Sequence, residues 1–245
     1  MESLGLRSRQ DVDRRRVFLY NEEDSKRDEK GRMPMDSGLK QKARRVTALL
    51  EEAYPRALCS LEHIDPFQLL AATRLSAQCT DARVNLVTPV LFGKYPTPQA
   101  MAQADLEDVE NIIHSCGVFH TKARDLVEMS KRLCELYDGK VPESMEELTA
   151  LPGVGRKTAN LIRGDIFGLP AVVTDTHLIR IANLLGLVAT KDPVKIEAQL
   201  RDLLEPEKSN DFCHRCVLHG RAVCVARRPN CAACTLAGEC DYFNI

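Results

Sequence analysis

The sequence predicts an all-α fold with a cysteine-rich segment at its C-terminal end. From Lys40 onward, apolar residues recur with the spacing of amphipathic helices, and no alternating run is long enough to indicate a β-sheet. The connections between helical segments are short and contain Pro or Gly, as in residues 96–98 and 168–170. Six of the ten cysteines lie between Cys213 and Cys240. We therefore expect packed helices followed by a loop that a metal centre organises.

The composition excludes several classes of protein. Of the 245 residues, 44% are hydrophobic and 28% are charged, which is typical of a globular chain. No apolar run approaches the roughly 18 residues of a membrane span, and the N-terminus lacks the apolar core of a secretory signal. We therefore expect a cytoplasmic protein with no membrane partner. The formal charge of −1 does not indicate a nucleic-acid partner, so any basic surface has to be local.

Residues 1–38 form a charged tail with only two aromatic residues, which is too little apolar area to pack alone. We interpret this tail as a disordered extension, or as the product of a start site upstream of Met33 or Met35. Its acidic residues argue against a mitochondrial transit peptide, and its basic pieces suit contact with nucleic acid.

The helical segments follow one another with clear stop signals. An apolar stripe beginning at Val46 ends before Pro55, and Pro66 opens the next helix. Further helices are predicted near 81–94, 97–103, 105–115, 121–137, 144–150, 156–167, 176–187, 193–204 and 210–219.

The stretch LPGVGRKTAN, Leu151–Asn160, predicts a tight hairpin between two helices. A capping box at Ser144 starts the first helix, and the second begins near Arg156. Gly153 and Gly155 permit backbone angles and close approaches that side chains forbid. Free N–H groups and the positive dipole end of the second helix suit a phosphate oxygen. A plain turn between two helices is the alternative interpretation.

Lys157 and Asp175 are the candidate catalytic pair. Lys157 lies in the first turn of the second hairpin helix, where the dipole favours the neutral, nucleophilic amine. Asp175 follows eighteen residues later in TDTH and is placed to cap a helix. If the two helix starts face one cleft, an amine stands beside a carboxylate that can take its proton. His177 is a minor candidate; the alternatives are an exposed lysine, a simple cap and a structural histidine.

The last four cysteines have the spacing of a metal site, C-x6-C-x2-C-x5-C: Cys224, Cys231, Cys234 and Cys240. Zinc and an iron–sulfur cluster both accept four cysteines, so the spacing alone does not decide the metal. Arg227 and Arg228 lie in the first span and suit a local phosphate contact. Disulfides are disfavoured because nothing indicates export.

The other cysteines are expected to be small packing residues. Cys213 and Cys216 have the spacing of a second pair of ligands, but also the spacing of neighbours on a buried helix face, which we favour. Four more are scattered through the helical segments: Cys59, Cys79, Cys116 and Cys134.

Together, the hairpin, TDTH and the four-cysteine loop resemble the endonuclease III family, the helix-hairpin-helix DNA glycosylases that carry a 4Fe-4S cluster. The resemblance covers about residues 38–245, and LSAQCTD, Leu75–Asp81, is similar to a further family segment. It implies two helical subdomains flanking a DNA-binding cleft, in a monomeric enzyme of base excision repair. The glycosylase core would be residues 39–220, with 39–60 packing on 176–220, and the cluster loop 221–245.

The resemblance also implies a role for each site residue. Lys157 would attack the sugar C1′ of an oxidised pyrimidine nucleotide flipped out of duplex DNA, and the resulting Schiff base would allow β-elimination 3′ to the abasic site. Asp175 would assist Lys157. The hairpin, commonly with a monovalent cation, would hold backbone phosphate. Gln78 would fill the space of the flipped nucleotide, and Val118 lies in the segment that corresponds to the intercalating loop. The residues expected to contact DNA are thus Gln78, Val118, Leu151, Gly153, Gly155, Arg156, His177, Arg227 and Arg228.

The sequence departs from the family pattern at three positions. Cys116 and Val118 are smaller than the apolar residues usual in the intercalating loop, and Cys216 stands where an aromatic residue is often found.

Two other functions compete with this interpretation. A monofunctional mismatch glycosylase of the same fold typically lacks a lysine at position 157. A non-catalytic DNA-binding or redox-sensing iron–sulfur protein needs neither Lys157 nor Asp175. The presence of both residues favours the bifunctional enzyme.

Overall fold

The computed structural model describes residues 37–244, and every regular element in this range is helical. The eleven α-helices of this range are α1 (Ser37–Ala53), α2 (Pro66–Leu75), α3 (Asp81–Lys94), α4 (Pro98–Ala102), α5 (Leu106–Ile113), α6 (Phe119–Tyr137), α7 (Met145–Thr149), α8 (Arg156–Asp165), α9 (Thr176–Leu184), α10 (Pro193–Leu203) and α11 (Ser209–Ala222). Short 3-10 turns cover His114–Cys116, Pro206–Lys208, Cys231–Ala233 and Ala237–Glu239. The all-α prediction is confirmed. The predicted tail lies outside the described residues, except for its last two, which begin α1.

Side-chain caps explain where most helices begin. In seven of the eleven, the residue before the first turn is Asp, Thr or Ser, and its side chain accepts a first-turn N–H. Ser144 caps α7 by accepting the N–H of Glu147 at 3.1 Å, as the capping box predicts. The predicted bounds of α3 to α11 agree with the structure to within three residues. Helix α9 ends early, at Leu184, because Gly186 turns the chain with φ +69°.

The helices pack in two groups that share α8. Helix α6 packs against α2, α4 and α5, and α3 packs against α2 and α5. Helix α11 packs against α1, α8 and α9, and α10 also contacts α1. Helix α8 contacts α2 and α7 as well as α11, so the hairpin helix lies where the groups meet. The first and last helices of the predicted core therefore lie together, while the core boundaries at residues 39 and 220 stay predictions.

The segment after α11 is held to the helices by polar contacts rather than by a core of its own. Leu236 is its one buried apolar side chain among the described residues. Lys42 on α1 pairs with Asp241. Arg45, also on α1, donates to both carboxylate oxygens of Glu239, at 2.6 and 3.0 Å. Such a segment gains little stability from apolar burial and depends on whatever its cysteines bind.

The cysteines outside the loop are only partly as predicted. Cys213 and Cys216 are buried on α11, which confirms their packing role, and Cys116 is buried as well. Three of the scattered cysteines, Cys59, Cys79 and Cys134, are only half-buried, so the expectation of burial is wrong for them. They lie at or near helix ends and loops rather than on the inner helix faces.

Membrane-spanning character is absent from the described part of the chain: none of the helices within residues 37–244 has the length and apolar content needed to cross a bilayer.

Candidate active site and metal centre

The hairpin between α7 and α8 needs its first glycine but not its second. Gly153 adopts φ +72°, and a Cβ built there would lie 2.6 Å from Arg74 Nε and 2.8 Å from Asp125 Oδ2. Gly155 has ordinary extended angles, φ −96° and ψ 174°, and a Cβ there meets nothing within 4 Å. The special backbone angles that the sequence suggests for both glycines are therefore found at Gly153 and not at Gly155. Its missing side chain instead leaves the hairpin surface open to an approaching molecule. Leu151 faces inward and is buried.

The start of α8 has no side-chain cap. Gly155 provides no side-chain cap, unlike the residues that precede most of the other helices. The N–H groups of the first turn and the positive end of the helix dipole are therefore available to a phosphate oxygen. The geometry agrees with the interpretation of the hairpin as more than a turn.

Arg156, predicted to contact DNA, is engaged within the protein. Its Nε and Nη2 donate to the two carboxylate oxygens of Glu197 on α10, at 2.6 and 2.8 Å. The Glu197 side chain is 2% exposed, so the ion pair neutralises a buried carboxylate. Arg156 thus fastens the hairpin helix to α10. Sequence reasoning missed this role because Glu197 lies 41 residues away in the chain.

Lys157 and Asp175 lie at neighbouring helix starts. Lys157 is exposed in the first turn of α8. Asp175 is half-buried and caps α9, because its Oδ1 accepts the N–H of Leu178 at 2.7 Å. The predicted cap is confirmed.

The imidazole of His177 connects the two residues electrostatically. Burial is the main cause that lowers the pKa of His177, and the Asp175 carboxylate opposes this effect. The cations of Arg180, Arg221 and Lys157 lower the pKa further. Lys157 and Asp175 therefore both act on one imidazole, which indicates that the two helix starts lie close to His177. A lowered pKa keeps this imidazole neutral at pH 7.

Asp81 is a second acidic group near Lys157, and sequence reasoning did not assign it a role. It opens α3, accepts from Ser60 Oγ at 2.5 Å and from Arg221 Nη2 at 2.8 Å. Burial raises the pKa of Asp81, but these two hydrogen bonds and the charges of Arg221 and Lys157 outweigh it and lower the pKa overall. Asp81 is therefore a carboxylate at neutral pH. The signal for it was the LSAQCTD segment, whereas its partner Arg221 lies 140 residues away.

Gln78 and Val118, the residues predicted to enter the duplex, share an unusual conformation. Both are exposed, and both have positive φ, 55° for Gln78 and 48° for Val118. Gln78 lies in the turn between α2 and α3, and Val118 precedes the first turn of α6. Their contact with DNA stays a prediction.

Arg227 and Arg228 are exposed on the loop after α11. Arg227 adopts φ +71°, which turns the loop sharply at this point. Within residues 37–244 neither guanidinium donates a hydrogen bond or forms an ion pair, in contrast to Arg156. They are therefore available to an outside anion.

The four loop cysteines line one cavity: Cys224, Cys231, Cys234 and Cys240. The rest of its wall is largely apolar and includes Leu184, Val223 and Phe243. Burial raises the pKa of the Cys224 and Cys234 thiols, and the neighbouring loop thiols raise it further, while Arg180 opposes this effect at Cys224. Within residues 37–244 no set of three or more His, Cys, Asp or Glu side chains converges on a single metal position. The cysteines instead surround a space from several sides.

Polar contacts join this cavity to the helices. Arg180 Nη2 on α9 donates to the Cys224 carbonyl at 2.5 Å. Cys234 Sγ lies 3.4 Å from Nε2 of His219, a buried residue of α11. Gly220 allows this close packing of α9 on α11, because a Cβ there would lie 2.5 Å from His177 Nδ1.

Comparison with known proteins assigns the family. Residues 71–206 match the model of the HhH-GPD superfamily base excision DNA repair protein. Endonuclease III of Synechocystis sp. is 47% identical over 202 residues, 82% of this chain and 92% of that protein. Endonuclease III of Escherichia coli is 38% identical over 203 residues, 82% of this chain and 96% of that protein.

Solved structures give the same result. A non-covalent endonuclease III–DNA complex aligns with a TM-score of 0.80 at 40% identity, over 84% of this chain and 96% of that chain. A trapped endonuclease III–DNA covalent intermediate aligns with a TM-score of 0.80 at 40% identity, over 84% and 97%. A thermostable thymine-DNA glycosylase, 22% identical, shares the fold with a TM-score of 0.75. The chain therefore belongs to the endonuclease III family of the HhH-GPD superfamily.

Proposed function

We propose that this protein is a bifunctional DNA glycosylase and AP lyase of base excision repair. It removes oxidised pyrimidines from duplex DNA and cuts the strand 3′ to the abasic site. The observation that carries this proposal is the placement of Lys157 and Asp175 at two helix starts, where both act on His177. Family membership supports it independently.

The chemistry uses the amine of Lys157 as nucleophile. Its attack on C1′ breaks the bond between C1′ and the base, and the base leaves with a proton. The lone pair of the lysine nitrogen then forms the C1′=N Schiff base as the C1′–O4′ bond breaks, and O4′ takes up a proton to become a hydroxyl group. Removal of a proton from C2′ then expels the 3′ phosphate by β-elimination, and water releases the enzyme. Asp175 accepts the proton of the Lys157 ammonium and stabilises the cationic sugar.

The remaining site residues hold the strand. First-turn N–H groups of α8 bind a backbone phosphate, and Gly155 lets the strand approach the hairpin. The neutral His177 lies beside this phosphate, and Arg227 and Arg228 bind further along the backbone. Gln78 and Val118 enter the duplex as the damaged nucleotide leaves the stack.

We further propose that the cysteine cavity holds a 4Fe-4S cluster. Four thiols from one loop surround an apolar space, which suits a cluster with a cysteine ligand at each iron. When bound, the cluster cross-links a segment that has a single buried apolar side chain, Leu236. A cluster held by these four cysteines would also fix the positions of Arg227 and Arg228, which lie between Cys224 and Cys231.

The partner of the protein in this proposal is double-stranded DNA that contains a damaged pyrimidine or an abasic site. The protein acts as a monomer, and we place it in the cytoplasm, with the nucleoid if the source is bacterial. The DNA complexes formed by similar endonucleases III support duplex DNA as the partner.

Borohydride trapping tests the proposal. Wild-type protein is incubated with a duplex that contains one oxidised thymine, and borohydride reduces any Schiff base to a stable protein–DNA adduct. We expect the adduct from wild type and its loss in Lys157→Gln. Lys195→Gln is the matched control, because Lys195 is also an exposed lysine in the first turn of a helix, α10.

Other outcomes would favour the competing functions. Abasic sites that accumulate without an adduct would indicate a monofunctional glycosylase. Absence of both products, from protein that binds the duplex, would indicate a non-catalytic DNA-binding or redox-sensing protein.

A further inference from the structure

Lys122 on α6 is a buried lysine that the proposed chemistry does not use. It is 1% exposed, and its Nζ donates to the carbonyl oxygens of Leu75 and Cys116, at 2.8 Å each. Burial lowers the pKa of Lys122. No carboxylate within residues 37–244 accepts a hydrogen bond from its ammonium, so the two carbonyls provide its compensation. Such a group is costly to bury, and its position needs an explanation.

The two carbonyls lie at the ends of two helical elements. Leu75 is the last residue of α2, and Cys116 is the last residue of the 3-10 turn before α6. Carbonyls at helix ends lack partners within the helix and carry the negative end of its dipole, so a cation is favoured there. Lys122 therefore joins the ends of two elements that are remote in sequence, with Leu75 47 residues before it.

Each of these ends leads directly into a segment predicted to enter DNA. Gln78 follows Leu75 by three residues, and Val118 follows Cys116 by two. Both residues are exposed and left-handed, a conformation that non-glycine residues keep only where the surroundings enforce it. Among the described residues, the ammonium of Lys122 is the one side-chain group that hydrogen-bonds to both Leu75 and Cys116, the residues from which the two segments begin.

The same helix also fixes the hairpin. Asp125, one turn after Lys122, accepts from Arg74 at 2.7 Å for Nε and 2.6 Å for Nη2. This ion pair packs against Gly153, whose built Cβ would lie within 2.8 Å of both side chains. Helix α6 thus sets the end of α2, the start of its own helix and the hairpin in one fixed arrangement.

We propose that Lys122 is a positioning residue for base flipping: its ammonium sets the distance between the Gln78 and Val118 segments so that both fit one duplex. This inference rests on the proposed function. Without the ammonium, two buried carbonyls lose their partner, and the two segments are no longer tied to each other. Among the described residues Lys157 forms no hydrogen bond with Lys122, Leu75 or Cys116, so we expect the Schiff-base chemistry itself to stay intact.

The test compares two substrates with Lys122→Met, which keeps the length of the side chain but cannot donate. Excision of the oxidised base from a duplex requires both inserted segments, whereas trapping on a single-stranded abasic oligonucleotide requires only Lys157 and the phosphate site. We expect the duplex excision rate to fall roughly 10- to 100-fold, as for misplaced substrate groups in general. We expect single-strand trapping to be unchanged. A 2-aminopurine placed opposite the lesion reports insertion into the duplex by a rise in fluorescence, and we expect this rise with wild type but not with Lys122→Met.

Met129→Ala is the matched control, since Met129 is fully buried on the same helix and contacts neither carbonyl by hydrogen bonding. It should lower the melting temperature and leave the ratio of the two rates unchanged. Lys122→Gln, which keeps an amide donor for one carbonyl, is the second variant if Lys122→Met fails to fold. Its ratio of duplex excision rate to single-strand trapping rate should fall less than that of Lys122→Met.

Three results would overturn the proposal. They are a parallel fall of both rates in the Lys122 variants, a selective fall in Met129→Ala as well, and an unchanged duplex rate in a folded Lys122 variant. Failure of wild type itself to excise or to trap would refute the proposed function rather than the role of Lys122.

Discussion

At the scale of single residues, Asp175 has two roles that different substitutions separate. Its Oδ1 caps α9 by accepting the N–H of Leu178, and its charge acts on His177. Asparagine retains the cap and removes the charge. We expect Asp175→Asn to keep its thermal stability and to lose roughly 10²- to 10⁴-fold in excision rate. Asp175→Ala should lose a comparable rate and in addition about 1 kcal/mol of stability. Single-turnover excision and thermal melting measure the two effects.

Asp192 provides the control for the cap alone. It caps α10 by accepting from Val194 at 2.9 Å and from Lys195 at 3.3 Å. Asp192→Ala should cost about 1 kcal/mol of stability without a change in excision rate. If Asp175→Asn were as active as wild type, Asp175 would be a helix cap only.

The arginines predicted to contact DNA differ in whether they have a partner within the protein. Arg156 neutralises the buried Glu197, whereas Arg228 has no partner within residues 37–244. We expect Arg156→Ala to lower stability by roughly 1–3 kcal/mol, because the buried Glu197 carboxylate loses two hydrogen bonds and keeps only the longer ion pair with Arg201, at 3.8 Å. Arg228→Ala should leave stability unchanged and reduce the salt slope of duplex binding by about 1. Thermal melting and binding titrations at several salt concentrations distinguish the two. The opposite pattern would make Arg156 the phosphate contact.

The hydrogen-bond partners of single residues also show which contacts can be predicted from the sequence and which cannot. The caps of α7 and α9 and the cysteine spacing were predictable, because the interacting groups lie within a few residues of one another. The partners of Arg156, Asp81 and Lys122 were not, because they lie 41, 140 and 47 residues away. Only the packed arrangement of the helices brings such groups together. Buried polar contacts of this kind have no local signature in the sequence.

At the scale of elements, the two glycines of the hairpin have opposite expected effects. Gly153→Ala meets a positive φ and the Arg74–Asp125 ion pair, so it should lower stability by roughly 1–3 kcal/mol. Gly155→Ala meets neither, and it should raise stability by about 0.4–1 kcal/mol through the unfolded state. Duplex binding of Gly155→Ala should nevertheless weaken, since a methyl group then stands on the open hairpin surface. Melting curves and duplex titrations on the two variants check these signs. Equal affinity of Gly155→Ala and wild type would show that the strand does not approach this face.

Helix positions were predictable at this scale to within three residues because their signals are local. Caps and prolines mark the starts, and apolar spacing marks the buried faces. The sequence alone does not distinguish a glycine that a positive φ requires, as at position 153, from one whose missing side chain leaves room for a bound strand, as proposed at position 155. The structure separates the two by its backbone angles.

At the scale of the whole molecule, the two ends of the described chain stabilise each other. Helix α1 holds the cysteine loop through Arg45 and Lys42, while Tyr242 N–H donates to the Leu184 carbonyl on α9 at 3.1 Å. A bound cluster would add to these contacts between the cysteine loop and the helices, because the loop buries little apolar area itself. Loss of the cluster should therefore destabilise the helices at both ends and not only the loop.

A pair of cysteine variants tests this coupling. Cys234→Ala removes a proposed ligand, and we expect loss of iron and a melting temperature lower by roughly 4–8 °C, as for about 2 kcal/mol in a chain of this size. Cys216→Ala removes a buried packing cysteine on α11 and should keep its iron. Iron and sulfide analysis with calorimetry measures both. Iron loss in Cys216→Ala would make Cys216 part of the metal site, and zinc in place of iron in wild type would replace the cluster by a structural zinc. An unchanged melting temperature in iron-free Cys234→Ala would mean that the polar contacts with α1 and α9 hold the loop without the metal.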